Sequence, residues 1–475
     1  MAVKEALDAV VVGSGPNGLA AAITLARAGL SVTLFEKRDT IGGGTRTEEL
    51  TLPGFLHDVC SAVHTLGVAS PFFQSLPLQD HGLEWLHPEV QLAHPLPDGT
   101  AARLYRTVEE TAVRLGTDAA AYRRLMNPLV RRWPGLAPDL LAPLHFPQHP
   151  LQFALFGIEG LLPSNLLGRL CFKTPAAQAL FAGLSAHSFL PLNRPLSAAF
   201  GLILGTLGHV AGWPVAKGGS RTVTAAMASY LRSLKGEIVT GQEIASLHDL
   251  PPARITMLDV TPRQLLALAG DDIPDGYRRK LNDYRYGPGV FKVDWALKEA
   301  IPWTAAGCRR AATVHLGGTA EELSNGESEI WQGKHPERPF VLLVQPSVVD
   351  PTRAPGGNHV GWAYCHVPNG STFDMTQRIE AQVERFAPGF RSLILARHTR
   401  NCVEYERYNP NFVGGDINGG VQDLRQFLAR PTLFSPYQTA LKGVYLCSSS
   451  TPPGGGVHGM CGYHAASCAI KTLKT

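Results

Sequence analysis

The sequence is poor in charged residues. Lys, Arg, Asp and Glu make up 17% of its 475 residues, and the net charge is +4; globular domains usually carry about 25% charged residues. Basic residues occur in pairs, such as Arg123-Arg124 and Arg131-Arg132, and never in long runs. The low charge predicts much buried surface or an apolar partner. The lack of basic runs gives no reason to expect nucleic acid as a partner.

Paired metal-binding and redox cysteine motifs are also missing. The eight cysteines form no Cys-x-x-Cys motif and no paired Cys/His spacing, so we expect neither a metal site nor a redox disulfide. This pattern is typical of a reduced, intracellular protein. About seven residues precede the first predicted strand, too few for a secretion signal, and we therefore expect a cytoplasmic location.

Long apolar runs are scarce. The longest, residues 196–213, has eighteen residues in which Ser197, Thr206 and His209 are the polar members. This length lies at the lower limit for crossing a bilayer. We predict a buried core helix here. A helix on a membrane surface is the alternative, so peripheral membrane association stays open.

The front of the chain reads as a nucleotide-binding βαβ unit. In residues 8–36 an apolar run leads into a glycine turn, an Ala-rich helical pattern closed by Gly29, and a second apolar run. The turn fits G-x-G-x-x-G, with Gly13 for the tight turn, Gly15 for close approach of a pyrophosphate and Gly18 for close packing of the helix. Pro16 suits the first helical turn, whose free N–H groups hold phosphates.

Glu36 ends the second run at the spacing expected of a ribose ligand. A carboxylate accepts hydrogen bonds from both ribose hydroxyls and repels a phosphate at that position. Glu36 therefore favours FAD or NAD over NADP.

The end of the chain repeats this organisation. Residues 441–450 read as a short strand, residues 451–462 contain five glycines, and a helical pattern runs from Tyr463 to Lys471. Because each glycine costs conformational entropy to order, we expect something to press against this backbone. We predict that the loop cradles a flavin ring, with the helix N-terminus facing its negative charge.

These motifs resemble a known family. GSGPNG, EKRDTIGGGTRT and YLCSSSTPPGGGVHGMCG are similar to motifs of the phytoene desaturase family of FAD-dependent oxidoreductases, and more closely to its phytoene dehydrogenase-related branch. The resemblance covers most of the chain, and its glycine pair and arginine after the second strand favour FAD as the cofactor. Carotenoid desaturases usually have a glycine in the stretch matched by Ser448-Ser449-Ser450, so a carotenoid substrate is not predicted.

The resemblance and the glycine motif together give the candidate cofactor-binding residues: Gly13, Gly15, Pro16, Asn17, Gly18, Glu36, Lys37, Gly43, Gly44, Arg46, Ile244, Ser450, Gly456, Val457 and His458. Ile244, placed in the strand after GEIVTG, is implied to lie near the adenine. Ser450, Gly456, Val457 and His458 are implied to lie along the flavin.

The predicted fold is α/β: a Rossmann-like FAD-binding domain of the glutathione-reductase type with an inserted α+β substrate domain. The FAD-binding domain comprises residues 1–75, 213–275 and 436–475, and the substrate domain comprises residues 76–212 and 276–435. A hairpin turning at Pro97-Asp98-Gly99 is expected in the first insert.

A flavin in such a fold takes hydride from a C–H bond to its N5, and no catalytic acid or base is required. Candidate residues beside the flavin are Lys292, Asp294 and Trp295 of GPGVFKVDWAL, and His64. Strand alternation places Lys292 and Asp294 on one face and Trp295 on the other. For Lys292 and Asp294 we favour a solvent-exposed ion pair over a role beside the flavin, and for His64 a structural loop histidine is an equal alternative.

The predicted function is an FAD-dependent desaturase or dehydrogenase that oxidises a lipophilic small molecule and passes electrons to oxygen, a quinone or another acceptor. The alternatives are an amine-oxidase-type enzyme, an FAD-dependent isomerase or saturase, and a flavin-bound protein-interaction scaffold. Fold-level likeness does not choose among them. The sequence gives no prediction of the oligomeric state.

Overall fold

The computed structural model describes residues 7–474; residues 1–6 and 475, which belong to the first and last predicted segments, lie outside the described residues. The strands are β1 (Leu7–Val12), β2 (Val32–Phe35), β3 (Thr47–Glu48), β4 (His57–Asp58), β5 (Trp85–Leu86), β6 (Val90–Pro95), β7 (Ala101–Leu104), β8 (Val215–Ala216), β9 (Glu237–Val239), β10 (Ala253–Leu258), β11 (Gly289–Leu297), β12 (Ala311–Leu316), β13 (Val341–Val344), β14 (His359–Val367), β15 (Ile394–Arg400) and β16 (Val444–Leu446).

The helices are α1 (Pro16–Arg27), α2 (Thr65–Ala69), α3 (Pro71–Gln74), α4 (Val108–Arg114), α5 (Ala119–Leu140), α6 (Pro150–Gly160), α7 (Ser164–Cys171), α8 (Pro175–Ala186), α9 (Ser197–Val210), α10 (Arg221–Ser233), α11 (Pro262–Ala269), α12 (Asp275–Asn282), α13 (Ala320–Trp331), α14 (Thr376–Phe386), α15 (Cys402–Tyr408), α16 (Leu424–Leu428) and α17 (Met460–Lys474).

One sheet is parallel and has the strand order β16-β10-β1-β2-β9. Its strands come from three separate parts of the chain, and each part lies within a segment assigned to the cofactor domain. Helices α1, α10 and α17 share a core with it. The predicted α/β fold with a Rossmann-like unit is confirmed, while the residue boundaries of the five segments stay predictions.

The two ends of the chain meet in this domain, because α17 packs on α1. The contact is so close that a Cβ added to Gly462 would lie 1.9 Å from the Asn17 carbonyl oxygen. Helix α17 is longer than the predicted span of residues 463–471 and begins at Met460. The strand, glycine loop and helix predicted for the C-terminus are all present.

The second sheet has the order β15-β11-β14-β13-β12-β6-β7 and is antiparallel except for the β6–β12 pair. The predicted hairpin is β6–β7. All nine residues of β11 are buried, so the favoured prediction of a solvent-exposed ion pair at Lys292 and Asp294 is wrong. The two faces of the sheet pack into different cores.

Helices α4–α9 form a layer beside β6 and β7. The apolar run 196–213 forms α9, which is mostly buried among α5, α6, α7 and α8, as the core-helix prediction requires. Within residues 7–474, no helix has the length and apolar character needed to cross a membrane.

Candidate functional site

A single cavity of about 860 Å³ touches both sheets, both glycine loops and α9. Its wall includes most of the predicted cofactor residues, namely Gly13, Gly15, Pro16, Asn17, Glu36, Lys37, Gly43, Gly44, Arg46, Ile244, Gly456 and Val457, together with His64. The first glycine loop and the C-terminal loop therefore share one cavity, as a single cofactor with contacts at both ends requires.

The first glycine loop has the geometry expected of a phosphate site. Gly13 has φ +99°, and a Cβ at Gly18 would lie 2.0 Å from the Gly13 carbonyl oxygen, so Gly18 permits the close packing predicted for it and lies behind the wall. Pro16 begins α1, and no side chain of residues 7–474 caps this helix end. The buried Asn17 Oδ1 has no hydrogen-bond partner among the described residues. The open helix end fits an anionic ligand, and the free amide oxygen fits a hydroxyl or N–H donor of the same ligand.

Glu36 follows β2 directly and is buried. Its carboxylate accepts hydrogen bonds from the Ser14 backbone N–H at 3.1 Å and the Ser14 hydroxyl, and from the Arg38 backbone N–H at 3.0 Å. Arg46 Nη2 lies 3.1 Å from Glu36 Oε1. Glu36, predicted to bind a ribose, and Arg46, another predicted cofactor-binding residue, thus form one buried ion pair on the cavity wall.

Lys37 and Ile244 lie at the same part of the wall. Lys37 is exposed and pairs with Glu243 at 2.6 Å. Ile244 packs with Phe35 and Val10, but it lies in the irregular segment after β9 rather than in a strand. The assignment of Ile244 to a strand is therefore wrong, because β9 ends at Val239.

Asp259 is a wall residue that sequence reasoning missed. It follows β10, and its Oδ2 accepts the Gly18 backbone N–H at 3.0 Å. A Cβ on Gly15 would lie 2.8 Å from this oxygen, so the carboxyl group sits directly beneath the glycine loop. Burial raises the pKa of Asp259 to about 7, and the charge of Glu36 adds to the rise. Asp259 could have been found from the sequence, because it is an acidic residue at the carboxyl end of a predicted strand, where open α/β sheets bind their ligands.

We expect the affinity for FAD to fall as the pH rises through the pKa of Asp259. The folded chain holds this proton up to about pH 7 and the unfolded chain releases it near pH 4, so the free energy of unfolding falls as pH rises from about 4 to 7. Binding of an anionic pyrophosphate weakens at higher pH, as Asp259 of the folded apoprotein loses its proton through about pH 7. Titration of the apoprotein should give a Kd roughly tenfold higher at pH 8 than at pH 6.

Asp259→Asn should flatten this pH dependence, in FAD affinity and in the thermal midpoint alike. Glu243→Gln, which removes an exposed carboxylate from the same wall, is the matched control and should keep the wild-type slope. An unchanged slope in Asp259→Asn would show that another group titrates.

The C-terminal glycines divide into two groups. Gly455, Gly456 and Val457 lie on the cavity wall. Gly454, Gly459 and Gly462 lie off this wall, and a Cβ there would approach Arg430, Phe73 with Ala20, and Asn17, respectively. The expectation that a flavin presses on this loop therefore applies to its middle, while the last two glycines allow α17 to approach α1 and α3.

Ser450 and His458 lie behind the wall rather than on it. The Ser450 hydroxyl donates to the Gly419 carbonyl, and the wall position belongs to Ser449. His458 Nδ1 accepts the Met460 backbone N–H at 3.0 Å, and the His458 carbonyl accepts from Ser70. These contacts hold the start of α17 in place, and burial lowers the pKa of His458 to about 4.

Among the catalytic candidates, His64 lies on the wall. Its Nε2 is 2.8 Å from Ser220 Oγ, its Nδ1 has no partner within residues 7–474, and burial lowers its pKa to about 4. The ring is therefore neutral near pH 7 and is held by Ser220 beside Trp85.

Lys292 and Asp294 form a fully buried ion pair one layer behind the wall. Lys292 Nζ lies 5.5 Å from the ring centre of the wall residue Trp362. Burial works to raise the pKa of Asp294, but Lys292 and His398 outweigh it and hold that pKa below its usual value. Burial lowers the pKa of Lys292, and the neighbouring Asp294 opposes this shift. The Lys292–Asp294 pair thus lies directly behind an aromatic wall.

Trp295 is not part of the cavity, and its prediction as a residue beside the flavin is wrong. It lies on the opposite face of β11, edge-on to Phe390 at 5.1 Å, and its indole N–H donates to Glu380. Alternation assigned it to the correct face, but that face packs against α14 and the 3₁₀ turn that follows it.

The wall formed by the second sheet and α9 is largely apolar and aromatic, with Phe200, Leu204, Leu342, Val344, Trp362 and Tyr364. His187 also lies on this wall. His187 Nε2 is 3.0 Å from His315 Nε2. Burial lowers the pKa of His187 to about 3, so it is a neutral polar group in an apolar wall.

Comparison with known proteins agrees with this architecture. Residues 11–76 match the family model of an NAD(P)-binding Rossmann-like domain. The chain is 27% identical to the rat (Rattus norvegicus) protein named pyridine nucleotide-disulfide oxidoreductase domain-containing protein 2, over 99% of this chain and 94% of that protein. It is 23% identical to a lycopene-forming phytoene desaturase of a Paracoccus species, over 98% and 97%.

Among solved structures, cyclohexylamine oxidase from Brevibacterium oxydans superposes with a TM-score of 0.62 at 15% identity, covering 99% of this chain and 100% of that one. This likeness is one of fold. The chain therefore has the same fold as this amine oxidase, and along nearly its whole length it is distantly similar to proteins named as oxidoreductases, a phytoene desaturase among them.

Proposed function

We propose that the protein is an FAD-dependent dehydrogenase or desaturase that oxidises a lipophilic small molecule. The observation that carries this proposal is the shared cavity, which has a nucleotide-type loop at one part of its wall and apolar side chains from β13, β14 and α9 at another. Pockets that combine a few placed polar groups with apolar walls are typical of small-molecule sites.

The residues of the first domain suit FAD. Glu36 can accept hydrogen bonds from ribose hydroxyls, while the open end of α1 and Arg46 can bind the diphosphate. Gly455, Gly456 and Val457 lie on another part of the wall, where their backbone can contact the other end of the ligand. When bound, FAD supplies a hydride acceptor.

The apolar wall suits a lipophilic substrate. Leu342, Val344 and Phe200 can exclude water and hold a hydrocarbon, because burial of apolar surface needs no specific partner. The neutral His187 offers one hydrogen bond, which can orient a substrate that carries a polar group. The paired charges of Lys292 and Asp294 lie behind Trp362 rather than on the apolar part of the wall.

An amine-oxidase-type reaction is the second candidate. It is favoured by Trp362 and Tyr364, two wall residues whose rings lie 5.3 Å apart at 83° and which together form part of an aromatic surface for a cationic amine. Lysines beside the flavin recur in amine oxidases, and Lys292 lies directly behind this surface.

The experiment that tests the proposal begins with the absorbance spectrum of the purified protein and identification of the released cofactor by mass. We expect FAD. The protein is then reduced anaerobically with candidate substrates, and its reoxidation by oxygen, quinone and NAD(P)+ is compared. Reduction by a lipophilic alkene or alcohol, with reoxidation by quinone or oxygen, supports the proposal.

Hydrogen peroxide release with amines would instead support the second candidate. Absence of flavin after reconstitution would overturn both. Failure of every substrate to reduce a flavin-loaded protein would favour an isomerase or a scaffold.

A further inference from the structure

Helices α6 and α7 carry an unusual number of exposed apolar side chains. Large hydrophobic side chains exposed between residues 144 and 170 are Leu144, Phe146, Leu151, Leu155, Ile158, Leu161, Leu166 and Leu170. We call this set the apolar face. Its most exposed members are Phe146 at 83% and Leu151 at 75%. Such concentrated apolar exposure marks an interaction surface.

The spacing of the apolar residues along α6 and α7 places their side chains on the solvent-facing side of each helix. Leu151, Leu155 and Ile158 follow an i, i+4, i+7 pattern on one side of α6. The opposite side of α6 is held by α9, since a Cβ on Gly160 would lie 3.4 Å from the Ala199 Cβ. Helix α7 also packs on α9 and presents Leu166 and Leu170 at i, i+4. Both helices therefore have one apolar side in the core and a second one outside.

The charge around the apolar face is basic. Glu159 is the one acidic residue between positions 141 and 174, where Arg169 and Lys173 also lie. On the neighbouring α5, Arg132 is close enough to Glu159 to act on its carboxyl group, and Arg124 acts likewise on Cys171 of α7. An apolar surface with a basic border matches an anionic lipid surface. A two-fold dimer through this face would bring like charges together.

The apolar face also lies one helix away from the cavity. Helix α9 contacts α6 and α7 on one side, and Phe200 and Leu204 of α9 line the cavity on the other. A lipid-dissolved substrate that reached α6 and α7 would therefore have a single layer of helix to pass.

We infer that the apolar face docks on the surface of an anionic lipid bilayer, with α6 and α7 dipping into the acyl boundary and the arginines of α5 and α7 contacting headgroups. This docking goes beyond the proposed reaction and does not depend on it, because it can be measured on protein that has no identified substrate.

The test is flotation of the full-length protein with phosphatidylcholine vesicles, with and without phosphatidylglycerol. We expect binding to be stronger when the anionic lipid is present. The double variant Leu151→Ser/Ile158→Ser should bind at least about tenfold more weakly. Two exposed apolar side chains are then lost, together with the free energy gained when they move from water into the acyl region. Arg169→Gln should weaken binding to anionic vesicles more than binding to neutral ones.

The matched control is Leu395→Ser. Leu395 is also exposed, at 48%, but it lies on β15, the edge strand farthest from β7 and the helical layer. This variant should bind vesicles as the wild type does. The exposed positions leave folding intact, and the thermal midpoint and flavin spectrum verify this for each variant.

Equal vesicle binding by the wild type and the double variant would overturn the inference, as would no binding by the wild type. If light scattering instead shows a dimer that the double variant dissociates, a second copy of the chain is the occupant and the lipid assignment is wrong. Loss of vesicle binding with retained substrate oxidation would separate this surface from the proposed function.

Discussion

Gly462→Ala is expected to destabilise the protein and to impair FAD binding together. The added methyl carbon would lie 1.9 Å from the Asn17 carbonyl oxygen and 2.8 Å from the Ala21 backbone nitrogen. These neighbours are backbone atoms of α1 and cannot rotate away, so α17 must move. Overpacking typically costs about 1–3 kcal/mol, and the rigid neighbours place this substitution at the upper end.

The expected loss of FAD affinity arises because α1 and α17 hold the two glycine loops of the cavity wall in place. Helix α1 begins at the first glycine loop, and α17 begins just after Gly455, Gly456 and Val457. Separating the helices therefore moves the two parts of the cavity wall that contact opposite ends of the proposed cofactor. Urea denaturation of the apoprotein and FAD titration measure the two effects independently.

Gly157→Ala is the matched control for helix propensity. Gly157 also lies within a helix, but a Cβ there would meet nothing within 4 Å. This substitution should stabilise α6 by up to about 1 kcal/mol, because alanine is the better helix former. If Gly462→Ala behaves like Gly157→Ala, the close contact between α1 and α17 does not exist in solution.

The cofactor domain was predictable because its evidence is local. The βαβ unit occupies residues 8–36, and its glycines, Pro16 and Glu36 each have a role set by nearby backbone geometry. The C-terminal glycines show the limit of this reasoning. Their number indicated a close approach, but Gly462 approaches a helix from the other end of the chain, and sequence spacing does not reveal which neighbour a glycine meets.

The wall residues that were missed or misassigned depend on long-range placement. Asp259 reaches the glycine loop because β10 lies beside β1 in register, with Leu258 opposite Val12. His187 reaches the cavity because α8 packs on the second sheet. For Trp295, alternation separates the two faces of β11 but does not tell which face a helix covers. In each case the local sequence pattern does not show which distant part of the chain packs against the residue.

Glu36→Gln is expected to weaken FAD binding by about ten- to a hundredfold. The substitution preserves the size of the side chain but removes the charge, and hydrogen bonds to a charged acceptor contribute about 1.5–3 kcal/mol. Loss of charge also leaves Arg46, which is buried, without its ion-pair partner, although Arg46 keeps hydrogen bonds to the Thr40 and Gly43 carbonyls. Quenching of FAD fluorescence on titration of the apoprotein measures the affinity.

Two further variants separate the ribose role of Glu36 from its structural role. Ser14→Ala removes the hydroxyl that donates to Glu36 while leaving the carboxylate in place, so a loss of affinity equal to that of Glu36→Gln would assign the effect to loop order rather than to the ribose. Glu243→Gln removes an exposed carboxylate from the same wall and should change the affinity by less than about threefold. A Glu36→Gln protein that binds FAD as tightly as the wild type would contradict the ribose assignment, because a neutral amide in this position cannot replace the charge-assisted bonds to two hydroxyl groups.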